Sequence, residues 1–250
     1  MSSPTMSSRS ESRNGYKNRI LASLSNAEIS RLSPNLSPLD LPSGKVLMDP
    51  AQEIADVYFL ETGLASVVVP MTDGNIIEAG ITGNDGLIGL PVFLGIKTTP
   101  TRTFMLVPGN GFKIKAHHLV KEFQRSGTLH AKINHYFQAH MVQSGQMAAC
   151  NRLHDVSKRL ARWLLMCRDR MDADSFTITH ELLGQMLGAP RSTVTLAAGV
   201  LHSHGLIDYS RGKLLIRNRK GLELAACECY RTVKNEFDRL GIFSNVEQSL

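Results

Sequence analysis

The sequence predicts an α+β protein: an antiparallel β-roll on the N-terminal side, a long helix, and a winged helix-turn-helix on the C-terminal side. Three observations carry this. Between Leu39 and Ile114, short β-branched stretches alternate with turn residues, the texture of many antiparallel strands. From Gly127 to about Met171, apolar residues recur at helical spacing. From Thr177 onward, two short apolar-patterned segments flank Gly188-Ala189-Pro190 and lead into a strand, a turn and a returning strand.

Residues 1–14 are Ser-rich with little to bury and are expected to form a disordered tail. A short helix is expected from about Gly15 to Leu24, and a second opens at Ser25, where Glu28 completes a capping-box pattern. The expected strands are Lys45–Met48, Asp56–Leu60, Leu64–Val69, Asn75–Ile81, Thr103–Val107 and Phe112–Ile114. Asp73-Gly74 is the strongest hairpin signal among the breaks, because glycine tolerates the positive φ of tight turns. Residues 15–126 therefore read as one sensor-like β domain. Over 127–171, Ile133, Phe137, Met141, Ala148, Leu153, Val156, Leu160, Trp163 and Leu164 keep the helical repeat. A helix of ~40 residues runs ~60 Å, more than a small domain covers. Pairing with a twin across a two-fold axis is the expected solution, so 127–171 reads as a dimerisation helix of a homodimer.

Residues 172–250 hold the most informative stretch. Thr179 is placed to cap a first helix, His180–Leu187, and a second runs Arg191–Ser203. Leu183, Gly184, Leu187, Ala189, Val194 and Ala197 are apolar or small where two crossing helices meet. Gly188 supplies the turn, and Pro190 suits the start of the second helix. Leu206–Tyr209 and Leu214–Ile216 then form a hairpin with Arg211 and Lys213 at its tip. From Arg191 to Lys220 six basic residues face one acid, a net of +5 within a chain whose total is +6. This pattern points to double-stranded DNA as partner. Arg191 is expected to reach a guanine edge or clamp a phosphate, with Ser192 and Thr195 as short readers beside it. Thr179 and Thr193 are expected at the backbone, and Arg211 and Lys213 on phosphates.

With the segments NRLHDVSKRLARWLL and TITHELLGQMLGAPRSTVT in place, the chain resembles the Crp–Fnr superfamily of bacterial regulators over most of residues 20–245. The resemblance implies a cyclic-nucleotide-binding-like jelly roll, a homodimer on a near-palindromic operator, and RNA polymerase as a further partner. It also implies an effector pocket whose matching positions here are Gly89, Leu90, Arg102 and Ser144. The cyclic-nucleotide-binding members carry Gly-Glu and, ten residues beyond the Glu, Arg-Ser. Here Leu90 replaces the ribose-binding acid, Pro100 stands at the arginine position, and Arg102 lies two residues late, about 7 Å along a strand. Control by cyclic AMP is therefore not expected, and the effector is unknown. In the second helix, those members show Arg-Glu-x-x-x-Arg where this chain has Arg191-Ser192-x-x-x-Leu196, so a different operator is expected. A cyclic-nucleotide-responsive regulator with an atypical pocket is the alternative.

Other classes fit less well. No apolar run reaches the roughly 18 residues of a membrane span and no signal-peptide core is present, so a cytoplasmic protein without membrane attachment is expected. A metal-binding cupin-like enzyme is disfavoured because His117-His118, His130, His135, His140, His202 and His204 lack ligand spacing. There is no nucleophile elbow, P-loop or dinucleotide fingerprint, so no enzyme and no cofactor are expected. Four cysteines, Cys150, Cys167, Cys227 and Cys229, are too few for a disulfide framework. Cys227 and Cys229 are expected to point apart on a helix in structural roles, so no metal site is expected.

Overall fold

The computed structural model describes residues 14–210 and 212–243. The Ser-rich segment expected to be disordered thus falls, apart from Asn14, outside the described residues. Two short helices lead in, α1 (Arg19–Ser23) and α2 (Asn26–Leu32). Ser25 and Glu28 form the expected capping box at α2, with the Ser25 N–H donating to Glu28 Oε2 at 3.0 Å.

The roll is built from β1 (Ser37–Leu41), β2 (Val46–Met48), β3 (Asp56–Leu60), β4 (Leu64–Pro70), β5 (Ile76–Thr82), β6 (Leu87–Ile88), β7 (Arg102–Val107) and β8 (Gly109–Lys115). They pair antiparallel in two four-stranded sheets, β1-β8-β3-β6 and β2-β7-β4-β5. Phe59, Leu64, Val68, Ile81, Leu106 and Ile114 are buried in its core, each worth about 1.5–3 kcal/mol on leaving water. The β4–β5 hairpin turns at Asp73-Gly74 as expected: Gly74 has φ +87°, and the Met71 N–H donates to the Asn75 carbonyl at 2.8 Å. Strand β1 was not expected. It is an edge strand that pairs only with β8 and buries only Leu41, while Pro38 and Asp40 break its alternation.

Helix α3 (Ala116–Phe123) closes the roll. The expected single long helix is two: α4 (Thr128–Leu153) and α5 (Val156–Met171). His154 leaves helical geometry (φ −108°, ψ 146°), and Asp155 caps α5 by accepting the Lys158 N–H at 2.9 Å. Periodicity missed this break because both helices bury residues in the same core. Nor does α4 lie bare. Its stripe Leu129, Ile133, Tyr136, Ala139, Gln143, Met147 and Cys150 is buried within the chain.

The C-terminal part contains β9 (Ser175–Thr177), α6 (His180–Leu187), α7 (Arg191–Ser203), β10 (Ile207–Ser210), β11 (Lys213–Ile216), α8 (Arg219–Ala225) and α9 (Cys229–Arg239). Helix α5, buried from Arg159 to Cys167, packs on α7, α8 and α9 and so sits with these elements rather than with α4. Helix α4 is covered by β5 on one side and α9 on another. Cys227 is not helical as expected: it lies in the loop between α8 and α9, and Cys229 opens α9.

Candidate nucleic-acid interface

Thr179 Oγ1 accepts the Leu182 N–H at 3.2 Å and caps α6, and Gly188, at φ +57°, ends it in the left-handed region. The Ala189 N–H then donates to the Gly184 carbonyl at 2.9 Å. A Cβ on Gly184 would lie 2.8 Å from the Ala189 oxygen, so the crossing of α6 and α7 requires glycine there. Pro190 is the N-cap of α7, one position ahead of the first turn, and its carbonyl accepts the Val194 N–H at 3.1 Å. Leu183, Leu187, Val194 and Ala197 are buried as expected, joined by Ala198 and Leu201.

This burial turns the other face of α7 to solvent. Arg191, Ser192 and Thr195 are exposed together, while Thr193 is half-buried. Thr195 Oγ1 donates to the Arg191 carbonyl at 3.0 Å and lies 2.9 Å from His180 Nδ1. Burial, helped by the Arg191 charge, lowers the His180 imidazole below its ordinary range. Its ring stacks on Tyr209 at 4.2 Å, and the Tyr209 hydroxyl donates to the Ile178 carbonyl at 2.7 Å. The exposed face of α7 is thereby tied to α6 and to the wing. Leu196 (72% exposed) and Val200 (47%) also stand on α7 in solvent. Sequence reasoning saw Leu196 only as a missing arginine.

The wing is β10–β11, with Ser210 opposite Lys213. Gly212 has φ +79° and Lys213 is exposed, while Arg211 lies outside the described residues. Strand β9 adds a third strand along β11. The basic excess is smaller than its count. Arg217 pairs with Asp208 at 2.5 Å, and Arg219 pairs with Asp169 at 2.7 Å and Glu223 at 2.8 Å. Among the described residues, Arg191, Lys213 and Lys220 have no acidic partner.

Three of the four positions matched to an effector pocket have contacts of their own. Gly89, at φ +119°, opens a turn of 3₁₀ helix over Leu90–Leu94, and Leu90 packs against the core. Arg102, on the other sheet, is held by Asp49 at 2.6 Å. Ser144 Oγ donates to the Ala79 carbonyl at 3.1 Å. None of the four lines the clefts of about 450 Å³ beside Glu61 and Phe112 or about 90 Å³ beside Asp49 and Tyr58. Between roll and α4 the space is filled by side chains: Tyr136 bonds Thr82 at 3.1 Å, and a Cβ on Gly86 would lie 1.8 Å from Tyr136 Cζ.

The family model of the Crp-like helix-turn-helix domain matches residues 158–225, the span that begins in α5 and takes in α6, α7 and the wing. Residues 158–225 are a Crp-like helix-turn-helix domain. The whole fold is similar to that of FixK2 from Bradyrhizobium japonicum (16% identity, 77% of this chain and 98% of that one, TM-score 0.66). It is also similar to CLP, the c-di-GMP-responsive global regulator of Xanthomonas campestris (15%, 77% and 99%, 0.62). A CRP-family transcriptional regulator from Thermus thermophilus gives 19% identity, coverage of 75% and 96%, and a TM-score of 0.62. No curated protein matches the chain. The fold is that of Crp–Fnr transcriptional regulators, with their helix-turn-helix at the C-terminal side. No helix among the described residues is long and apolar enough to cross a membrane.

The Crp-like domain is docked on the roll through α5 and α6. Five buried polar side chains, Ser66, Glu78, Asp85, Gln143 and Arg170, none singled out from the sequence, make the joint. Glu78 on β5 accepts the Trp163 indole N–H from α5 at 2.8 Å and the Ser66 hydroxyl at 2.8 Å, and Ser66 in turn touches Met186 of α6 at 3.2 Å. Burial pushes the Glu78 carboxyl up to about 7, against the pull of these hydrogen bonds and of Arg162 and Arg170. Arg170 of α5 pairs with fully buried Asp85 of the roll at 3.1 Å, donates to Gln143 of α4 at 2.6 Å, and stacks over Phe237 of α9 at 4.7 Å. Beside it His140 is pushed down to about 4 by burial and stays neutral. The only sequence signal was two unpaired charges, Glu78 and Arg170, on apolar faces.

Proposed function

We propose that the chain is a homodimeric, sequence-specific DNA-binding transcription regulator, not an enzyme, that acts in the cytoplasm on a near-palindromic operator without cyclic AMP. The observation that carries this reading is the exposed polar face of α7 beside a cationic wing. In the major groove Arg191 takes a guanine edge, Ser192 and Thr195 take base edges or phosphate oxygens, and Leu196 supplies an apolar contact for a thymine methyl. Thr179 and Thr193 face the backbone, and Lys213 and Arg211 hold phosphates. Dimerisation is supported by the outer stripe of α4, where Gln138, Met141, Gly145 and Ala148 are exposed at helical spacing. Independence from cyclic AMP is supported by Leu90, by the engaged Arg102, and by the filled space under α4. RNA polymerase is the further partner such a regulator would engage.

Binding-site selection with the full chain, followed by mobility shift over a salt titration, tests the reading. The expected result is a two-fold-related site bound without added nucleotide, with affinity falling steeply as salt rises. Absence of binding at low salt, or a strict requirement for cyclic AMP, refutes it.

A further inference from the structure

Near the α4–α5 break, four ligand-type side chains from two distant parts of the chain come together. Cys150 is buried on the last turns of α4, and His154 is the residue on which α4 ends. Cys227 and Cys229, both buried, come from the loop and the start of α9. Cys150 Sγ lies 3.5 Å from Cys227 Sγ, Cys229 Sγ lies 3.5 Å from His154 Nδ1, and all four ligand atoms fall within 4.8 Å of one another. We propose that Cys150, His154, Cys227 and Cys229 form a tetrahedral zinc site that clamps the end of α4 to the α8–α9 loop. This goes beyond the DNA-binding reading and does not depend on it.

The spacing is that of one ion. Zn–S bonds of about 2.3 Å put tetrahedral thiolates about 3.8 Å apart, inside the 4.8 Å limit found here. A polynuclear iron–sulfur cluster interposes its own sulfide core and spreads its ligands wider. Three soft thiolates with an imidazole favour zinc over the hard cations. The second shell agrees. His154 Nε2, on the side of the ring away from the sulfurs, lies 3.3 Å from Glu228 Oε1, the carboxylate partner that fixes a ligating histidine's tautomer. Gln146 Nε2 donates to Cys229 Sγ at 3.1 Å.

The charges around the four ligands favour an ion as well. Arg159 and Arg162 are buried, each with an Nε that has no hydrogen-bond partner among the described residues, and both interact electrostatically with the Cys150 sulfur. Two buried guanidiniums beside three neutral thiols are a poor arrangement. Zinc binding displaces three thiol protons to solvent and leaves a centre of net charge −1, which these cations offset. His154 ligates as neutral imidazole through Nδ1 while its Nε2–H donates to Glu228. Among the described residues no position in this set is open to substrate, so the site is structural, holding α9 and the helix-turn-helix in a set relation to α4.

The test uses full-length protein purified under reducing conditions, with metal content measured by elemental analysis and Co²⁺ titrated into the metal-stripped chain. One equivalent of zinc per chain is expected, with Co²⁺ giving intense tetrahedral d–d bands and a thiolate-to-metal charge-transfer band. The Cys227→Ser/Cys229→Ser double variant should lose both signals, whereas Cys167→Ala, which removes the one cysteine outside the cluster, should keep them. Zinc-free wild type with only the weak spectrum of hydrated Co²⁺ overturns the proposal, whatever the variants do. So does a Cys150–Cys227 disulfide in that preparation, or a double variant that folds and still shows the tetrahedral bands.

Discussion

Glu78 is a carboxyl whose ionisation works against the fold, and replacing it with glutamine should remove the pH dependence it imposes. In its neutral form Glu78 can donate from Oε2 to Ser66 Oγ, which then donates to Met186 Sδ, while Oε1 still accepts from Trp163. Glutamine reproduces that arrangement with its amide. Buried at 2% exposure, the carboxyl is carried from 4.5 to about 7 in the folded chain. Below about 4.5 both folded and unfolded chains hold the proton, and the contribution of the group is fully present. Between 4.5 and 7 the unfolded chain has released a proton that the folded chain retains, so stability falls as pH rises, and above 7 the loss is complete. At 1.36 kcal/mol per tenfold change in proton affinity, the whole loss is about 3 kcal/mol. Urea unfolding followed by fluorescence of Trp163, the one tryptophan of the chain, reads it at pH 5 to pH 8. Glu78→Gln should match the wild type near pH 5 and gain about 2–3 kcal/mol on it by pH 8. Other titrating groups cancel in that difference. Parallel stability curves for the two proteins across this range would refute the reasoning.

Arg170→Ala leaves Asp85 fully buried without its partner and should cost about 3–5 kcal/mol in urea unfolding, a loss that Asp85→Asn in the same chain should partly restore. Gly184→Val forces side-chain atoms against the Ala189 carbonyl, so about 1–3 kcal/mol of stability and most operator binding should be lost together. Arg191→Ala should cost about 1–3 kcal/mol at one base pair of the selected operator, read by competition with single-base variants. Lys213→Ala should weaken all sequences alike and lower the salt slope by about one.

The helix-turn-helix was legible because its chemistry is local. Thr179, Gly188 and the small residues at the crossing act within a few positions of one another, so spacing alone reveals the turn, the cap and the exposed face. The strands of the roll were legible for the same reason, except β1, whose polar edge carries no alternation, and β6, whose two residues are too few to show one. The α4–α5 break was hidden: Asp155 is an ordinary cap residue, and apolar periodicity runs across the break because a common core receives both helices. Only the tertiary structure could show that one stripe of α4 is buried within its own chain. Only it could show that Arg102 is engaged by Asp49, and that Arg217 and Arg219 spend their charge on acids near them. The polar contacts between distant parts of the chain needed it most. Glu78 meets Trp163 across 85 residues and Cys150 meets Cys227 across 77. Burial and charge pairing at such distances depend on how elements pack, so no window of sequence contains them, whereas a cap, a turn and a helix face are written residue by residue.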